Sequence, residues 1–398
     1  MPKIFNGLIA ILALLSATPA LAIDVNFQGY LKSYLIAQEQ QSNSFYNLPS
    51  QINSQNNLRL MLDVFSQQAV WQIHYEISPQ LSSRDSNAFA MTSEPSMPGY
   101  RLTDLDPLLA TSGAKQSVLQ NLDRFNVQFQ FADGDLTIGR QAITFGSARM
   151  INPTDVFLPF SLGTLNTEYR IGVDAVRYQK AWGELGEIDI GLVSGDGAQS
   201  ENSAAFVQAK QNLNGKDLNF SLIRFADQTL VGGGLETALG EFGFWLEIAS
   251  VSGLSNYQRG SVGLDYAFTA NTFAMIEYHV STAGTKDTDQ YLNHFESLSF
   301  TTGGVFLLGE HYIIASLAQT FSPLWQASAQ TIINLDDDSS FTMLSTNYNI
   351  AEDFYLDFGV YLFNGKGLKI NDNLGQVLLG SEYGASPNSA FVSIRFYF

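Results

Sequence analysis

The chain contains no cysteine, so disulfides, thiolate metal sites and thiol chemistry play no part in its fold or function. Charge is scarce, at 15% of 398 residues, and basic charge is scarcer still: 20 Lys and Arg stand against 38 Asp and Glu, a formal net charge of −18. That balance excludes a nucleic-acid partner, because phosphate neutralisation needs clustered basic side chains. Long hydrophobic runs are missing too. Beyond Ala22 no window supplies the roughly 18 uncharged apolar residues that a membrane-spanning helix needs. The most apolar stretch, 303–318, is interrupted by Glu310 and His311. The four histidines, His74, His279, His294 and His311, lack a metal-type spacing such as H-E-x-x-H. No G-x-S-x-G occurs, and Gly232-Gly233-Gly234 sits inside a strand pattern with no helix behind it, which suits curvature better than a phosphate cradle. Asp336-Asp337-Asp338 reads as an acidic turn without the EF-hand pattern. No cofactor, metal or catalytic residue is expected.

What the chain does have is 45% hydrophobic and 13% aromatic residues, hidden from a hydropathy window by alternation. At the C-terminus Val392, Ile394, Phe396 and Phe398 alternate with Ser393, Arg395 and Tyr397. Such spacing puts the apolar side chains on one face of a strand and the polar ones on the other. An open edge this aromatic invites aggregation, whereas a barrel closed in lipid hides it. An amphipathic last strand ending in Phe also resembles the assembly signal of bacterial outer-membrane barrels, which assigns that role to Phe396 and Phe398. At the other end Lys3, the apolar run 7–15 and Ala20-Leu21-Ala22 form a secretory leader, residues 1–22, with a single domain expected over 23–398.

Between the ends, segments of about ten residues repeat the alternation, as a barrel requires. Leu58, Leu60, Leu62 and Val64 face one way with Arg59 and Asp63 opposite; Trp71, Ile73, Tyr75 and Ile77 oppose Gln72, His74 and Glu76. Phe125, Val127, Phe129 and Phe131 lead into a tight turn at Asp133-Gly134. The reading is all-β: a transmembrane, antiparallel, up-and-down β-barrel of about 18 strands, with 16 the competing count. Residues 296–323 allow either one strand or two. Even strand number and termini on one side place the loops 39–56, 79–120, 146–169, 283–295 and 364–387 together on the other. The longest, 79–120, is the expected constriction or lid.

Five of the eleven arginines, Arg124, Arg140, Arg149, Arg170 and Arg177, fall within 54 residues. Arginine facing lipid at mid-depth costs about 2–4 kcal/mol, so these should face the lumen or the rim. Strict alternation from Ile138 would aim Arg140 outward, which predicts a bulge near Gly139. Paired with Asp123, Asp135, Asp155 and Asp174, the arginines would stiffen the wall; left open, they would select solutes. Gly139-Arg140-Gln141, Phe145-Gly146, Arg149, Asn152-Pro153-Thr154-Asp155, then Arg170, Gly172, Asp174 and Arg177, together with Asn334-Leu335-Asp336-Asp337 and Ser339, resemble the pattern of alginate-export-like outer-membrane barrels. That resemblance implies an 18-stranded, channel-forming barrel without implying alginate as its solute.

The expected function is a porin-like channel in the cell outer membrane for diffusion or export of small hydrophilic or anionic solutes or polysaccharide. The expected partners are outer-membrane lipid and lipopolysaccharide, the barrel-assembly machinery and the solute, with homo-oligomerisation open. An outer-membrane enzyme of lipase or protease type and a structural or adhesive surface barrel are the alternatives.

Overall fold

In the computed structural model the alternating segments form strands, each hydrogen-bonded to the next. The structure describes residues 23–42, 47–84, 99–106, 108–111, 115–157, 168–371 and 376–398; residues 1–22, where a leader is expected, and much of 79–120 lie outside them. The strands are β1 (Asp24–Gln38), β2 (Gln51–Phe65), β3 (Ala69–Ser82), β4 (Gln116–Phe131), β5 (Gly134–Gln141) and β6 (Val173–Ala181). They continue with β7 (Glu187–Ser194), β8 (Ser203–Leu213), β9 (Lys216–Phe225), β10 (Gln228–Leu239), β11 (Phe242–Gly253) and β12 (Tyr257–Thr269). The last six are β13 (Thr272–Ser281), β14 (His311–Ser322), β15 (Trp325–Asn334), β16 (Ser339–Ala351), β17 (Phe354–Asn364) and β18 (Ser389–Tyr397).

Every strand pairs antiparallel with its chain neighbour, and β18 pairs back to β1 from Tyr30 opposite Tyr397 to Gln38 opposite Ser389. The result is a closed ring of 18 strands, the count that parity favours. Gly29 and Phe398 exchange two backbone hydrogen bonds, of 2.8 and 3.0 Å, so the final residue is part of the seal. Residues 296–323 contribute one strand, β14; before it the chain forms two short helices, α1 (Tyr291–His294) and α2 (Leu298–Thr301).

The turns 66–68, 132–133, 182–186, 214–215, 240–241, 270–271, 323–324 and 352–353 share one end with both strand termini, and the longer loops occupy the other. Outward positions carry the apolar side chains: Phe27, Leu192, Phe220, Ile248, Ile276 and Phe358 are all exposed. Next to the short turns lie Phe65, Trp71, Phe131, Trp182, Phe242, Phe268, Phe321 and Trp325, also exposed. This is an aromatic girdle at one rim of an apolar belt, the arrangement that places amphipathic rings at a lipid–water boundary. No helix among the described residues is long and apolar enough to cross a membrane.

The two faces predict different tolerance to charge. Ile248→Arg, on the outer face, should cost about 2–4 kcal/mol in guanidine titrations of protein folded into lipid vesicles. Ser328→Arg, on the lumen face, should cost far less, and equal effects at both positions would contradict the assigned sidedness.

Candidate functional site

A barrel of this width cannot fill its interior with wall side chains alone. The chain itself enters. After β5, residues 142–157 run along the inner wall, where Phe145 and Phe157 pack on Phe206 and Tyr100. Being neither helix nor strand, this segment leaves backbone N–H groups that need partners inside the protein. Two wall carboxylates supply them. Glu247 on β11 accepts from the N–H of Ser147 (2.7 Å), Ala148 (2.8 Å) and Thr154 (2.8 Å), and from the Thr154 hydroxyl (2.7 Å). Glu277 on β13 accepts from the N–H of Arg149 (3.3 Å), Met150 (3.2 Å) and Ile151 (2.9 Å), and from the Trp245 indole (2.7 Å).

The Ser261 hydroxyl donates to the Ile151 carbonyl (2.7 Å) and lies 2.8 Å from Nδ1 of His279. His279 therefore serves in the clamp. Gly146 has φ +100°, and a Cβ there would lie 2.7 Å from the Asn152 Cβ and from Glu247 Oε1; the loop can approach its carboxylate only because the side chain is missing. Met150 and Ile151 reach a second apolar cluster on the wall, formed by Tyr34, Ile36, Tyr312, Ile314, Ile332 and Phe341 among others.

Among the described residues 142–157 enters the lumen, and Glu168 and Tyr169 reach Lys32 and Arg59 on the inner wall; most of 79–120, the expected constriction or lid, lies outside the described residues. The docking of 142–157 depends on wall carboxylates that no local pattern marks. Of residues 79–120, 79–82 and 116–120 belong to β3 and β4, and 99–106 packs against the start of β6: Arg101 Nε donates to the Gly172 carbonyl (2.9 Å), and Asp174 N–H donates to the Tyr100 carbonyl (2.9 Å).

The five arginines are nearly all neutralised. Arg124 contacts Asp123 (3.1 Å), Arg170 contacts Asp155 (2.5 Å) and Arg177 contacts Asp189 (2.5 Å). Arg140 holds Asp174 (2.8 Å) and Asp104 (3.0 Å). Asp135, expected among the partners, instead accepts from Gln128 (2.9 Å). Arg140 is only 5% exposed, but no bulge achieves this. The β4–β5 ladder keeps its register past Gly139, which adopts φ +114°. The register shift lies across the sheet, where Asp123 is the extra residue of β4 against β3. Arg149 differs from the other four. Its side chain is 42% exposed, 3.0 Å from Asp265, 3.8 Å from Glu236, and over the Trp245 ring at 5.2 Å.

Sequence reasoning missed the charged residues of β1 to β3, β17 and β18. Lys32 pairs with Glu168, Arg59 with Asp123 (2.8 Å) and Arg395 with Asp357 (2.6 Å), while the Tyr30 hydroxyl donates to Glu76 (2.6 Å). Arg59 also lies 4.1 Å from the centre of the Tyr169 ring. The signal available was alternation: each of Lys32, Arg59, Glu76, Asp357 and Arg395 occupies the polar face of its strand.

At the loop end, Glu382 ties three segments together. Its carboxylate accepts from Leu308 N–H (3.1 Å), the Tyr312 hydroxyl (2.6 Å) and the Asn334 amide (2.8 Å), and its own N–H donates to Asp337 (2.7 Å). Burial, with Asp337 adding to it, raises this carboxyl from 4.5 to about 7.

No protein-family model matches the chain, and no curated protein matches it. Solved structures do. OccAB4 of Acinetobacter baumannii aligns with a TM-score of 0.58 at 9% identity, covering 94% of this chain and 98% of that one. OccK9 (OpdG) of Pseudomonas aeruginosa aligns at 0.58 and 9%, covering 94% and 99%. OprD of P. aeruginosa aligns at 0.54 and 10%, covering 94% and 95%. These neighbours are outer-membrane porins. At such identity the likeness establishes the barrel fold alone.

Two outcomes follow. Glu247→Ala with Glu277→Ala strips the acceptors from the loop; hydrogen–deuterium exchange at the amides of 147–151 and 154 should accelerate, with a stability loss of about 3 kcal/mol or more. A raised carboxyl favours the protonated folded form, so Glu382's contribution is complete below 4.5 and lost as pH rises through about 7. Limited proteolysis within 282–310 and 365–388 should therefore quicken from acidic to mildly alkaline pH, and Glu382→Gln should remove that dependence.

Proposed function

We propose that this chain is an outer-membrane porin-type channel for small hydrophilic solutes, with the loop 142–157 as its constriction. One observation carries the reading: a closed ring with an apolar belt outside and polar side chains inside holds a chain segment clamped within its lumen by Glu247 and Glu277. A structural barrel has no need of a wall built to grip an inner loop. The porin class of the structural neighbours supports both the channel and the outer membrane as its location. It also favours a transport role over an enzymatic one. In this reading outer-membrane lipid and lipopolysaccharide surround the belt, and the assembly machinery receives the strand bearing Phe396 and Phe398.

Arg149 is the selectivity residue of this reading, because it alone of the five arginines keeps substantial exposure beside the constriction. Arg124, Arg140, Arg170, Arg177 and Asp174 stiffen the wall. The alginate-export-like pattern falls mainly on those paired residues, and arginines already engaged by carboxylates suit a polyanionic polysaccharide poorly. Small solutes, neutral or singly charged, fit better.

Planar-bilayer recording of the refolded full chain tests the proposal. Discrete conductance steps are expected, larger in the Glu247→Ala/Glu277→Ala variant. Arg149→Glu should shift the reversal potential toward cation preference. Absence of conductance in both wild type and the loop-released variant would overturn the reading.

A further inference from the structure

The inner wall is chemically lopsided. From β1 to β7 it carries charges in pairs, whereas β14 to β16 present uncharged Ser316, Thr320, Gln326, Ser328, Ser345, Asn347 and Asn349 on their lumen positions. Where this neutral strip meets β17 and β18, next to the turns 323–324 and 352–353, a pocket of about 600 Å³ opens on the lumen. Gln326, Asn347, Asn349, Tyr355, Arg395 and Tyr397 line it, with Asp353 of the adjoining turn, and the Tyr397 hydroxyl donates to Glu168 (2.9 Å). The ladder aligns them: Gln326 faces Asn347, Asn349 faces Tyr355, and Tyr355 faces Arg395.

We propose that this pocket is a binding site for a neutral polyhydroxylated solute, a mono- or disaccharide, at the short-turn mouth of the lumen. The charges, with Asp353, Asp357 and Glu168 around the one guanidinium, rule against an anion, and the amide rows favour a polyhydroxylated ligand. Asp357 takes both Nε (2.6 Å) and Nη2 (2.8 Å) of Arg395, so the guanidinium keeps spare N–H donors without an uncompensated charge. An anion would have to compete with Asp357 and approach its carboxylate. Sugar hydroxyls, which donate and accept together, match planar amides that do the same. Among the described residues the side-chain amides of Gln326 and Asn349 have no protein partner, while Asn347 gives one N–H to Asp357 (2.6 Å) and keeps its other N–H and its carbonyl. Tyr355 and Tyr397 stand edge to face, with ring centres 5.8 Å apart, adding apolar ring surface to the amide rows. The inference depends on the channel reading only for the route by which a sugar arrives.

Saturation-transfer NMR and calorimetry on the full chain, in a detergent without a sugar headgroup, test it with maltose as probe and gluconate as the anionic comparator. Maltose should bind in preference to gluconate. Asn347→Ala/Asn349→Ala should weaken maltose binding on the order of tenfold, as loss of two neutral hydrogen-bonding groups predicts. The milder Gln326→Ala should weaken it less, with each variant keeping the wild-type circular dichroism. No maltose signal, preference for gluconate, or a maltose affinity untouched by both variants would overturn the assignment. Bilayer recording on the same preparation separates the two proposals: conductance without maltose binding removes only this site, and maltose binding without conductance removes only the channel.

Discussion

An unpaired backbone amide in hydrocarbon costs several kcal/mol, and the rest of this structure is arranged around avoiding that cost. A sheet with two free edges would expose a row of such groups at each. Here β18 returns to β1 and pairs with it along its whole length, down to the last residue of the chain. Closure then dictates the remainder. With hydrocarbon outside and water within, alternate residues must be apolar and polar, and the lumen becomes a second, internal surface with its own electrostatics.

That internal surface is crowded with charge, yet little of it is unbalanced. Buried ions are strongly unfavourable unless matched by an opposite charge and by hydrogen bonds. Arg59 and Arg124 share Asp123, Arg140 is held by Asp174 and Asp104, and Arg177 by Asp189. The net acidity of the chain thus coexists with a lumen wall in which guanidinium and carboxylate groups cancel locally. Arg149, on the inner loop rather than the wall, is paired with Asp265 as well but keeps far more exposure than the other four.

The loop 142–157 and the wall that holds it are interdependent. Glu247 and Glu277, inside the barrel, would each need a charged or multiply hydrogen-bonded partner; the loop, lacking regular structure, needs acceptors for its N–H groups. Each meets the other's requirement, and Ser261 and His279 complete the contact. The loop lies against β11 to β13 and touches the aromatic cluster through Met150 and Ile151. Directly beside it the lumen positions of β14 to β16 toward the short turns remain uncharged, giving the inner wall two chemically different stretches.

The fold was legible in the sequence because alternation is a local property. Phe125 to Phe131 or Phe242 to Ile248 announce a two-sided strand without reference to any other part of the chain, and parity then favours an even ring. Candidate residues were legible only as a class: alternation assigns Arg177 to the wet face but cannot say that Asp189, and not Asp135, will meet it, since that depends on which carboxylate the register of a neighbouring strand brings within reach. Arg140 shows the same limit: it stays in register opposite Phe125 and is buried by its contacts with Thr103, Asp104 and Asp174, while the bulge falls at Asp123. The docking of the inner loop lay furthest from view: a loop enters a lumen where wall groups can satisfy its backbone, and the two glutamates that do so for 142–157 lie 93 to 128 residues downstream of the amides they bind. Residue order alone determined that this chain is a closed two-faced wall; only folding decided which segment enters the lumen and which charges meet, because both depend on contacts between strands far apart in the chain.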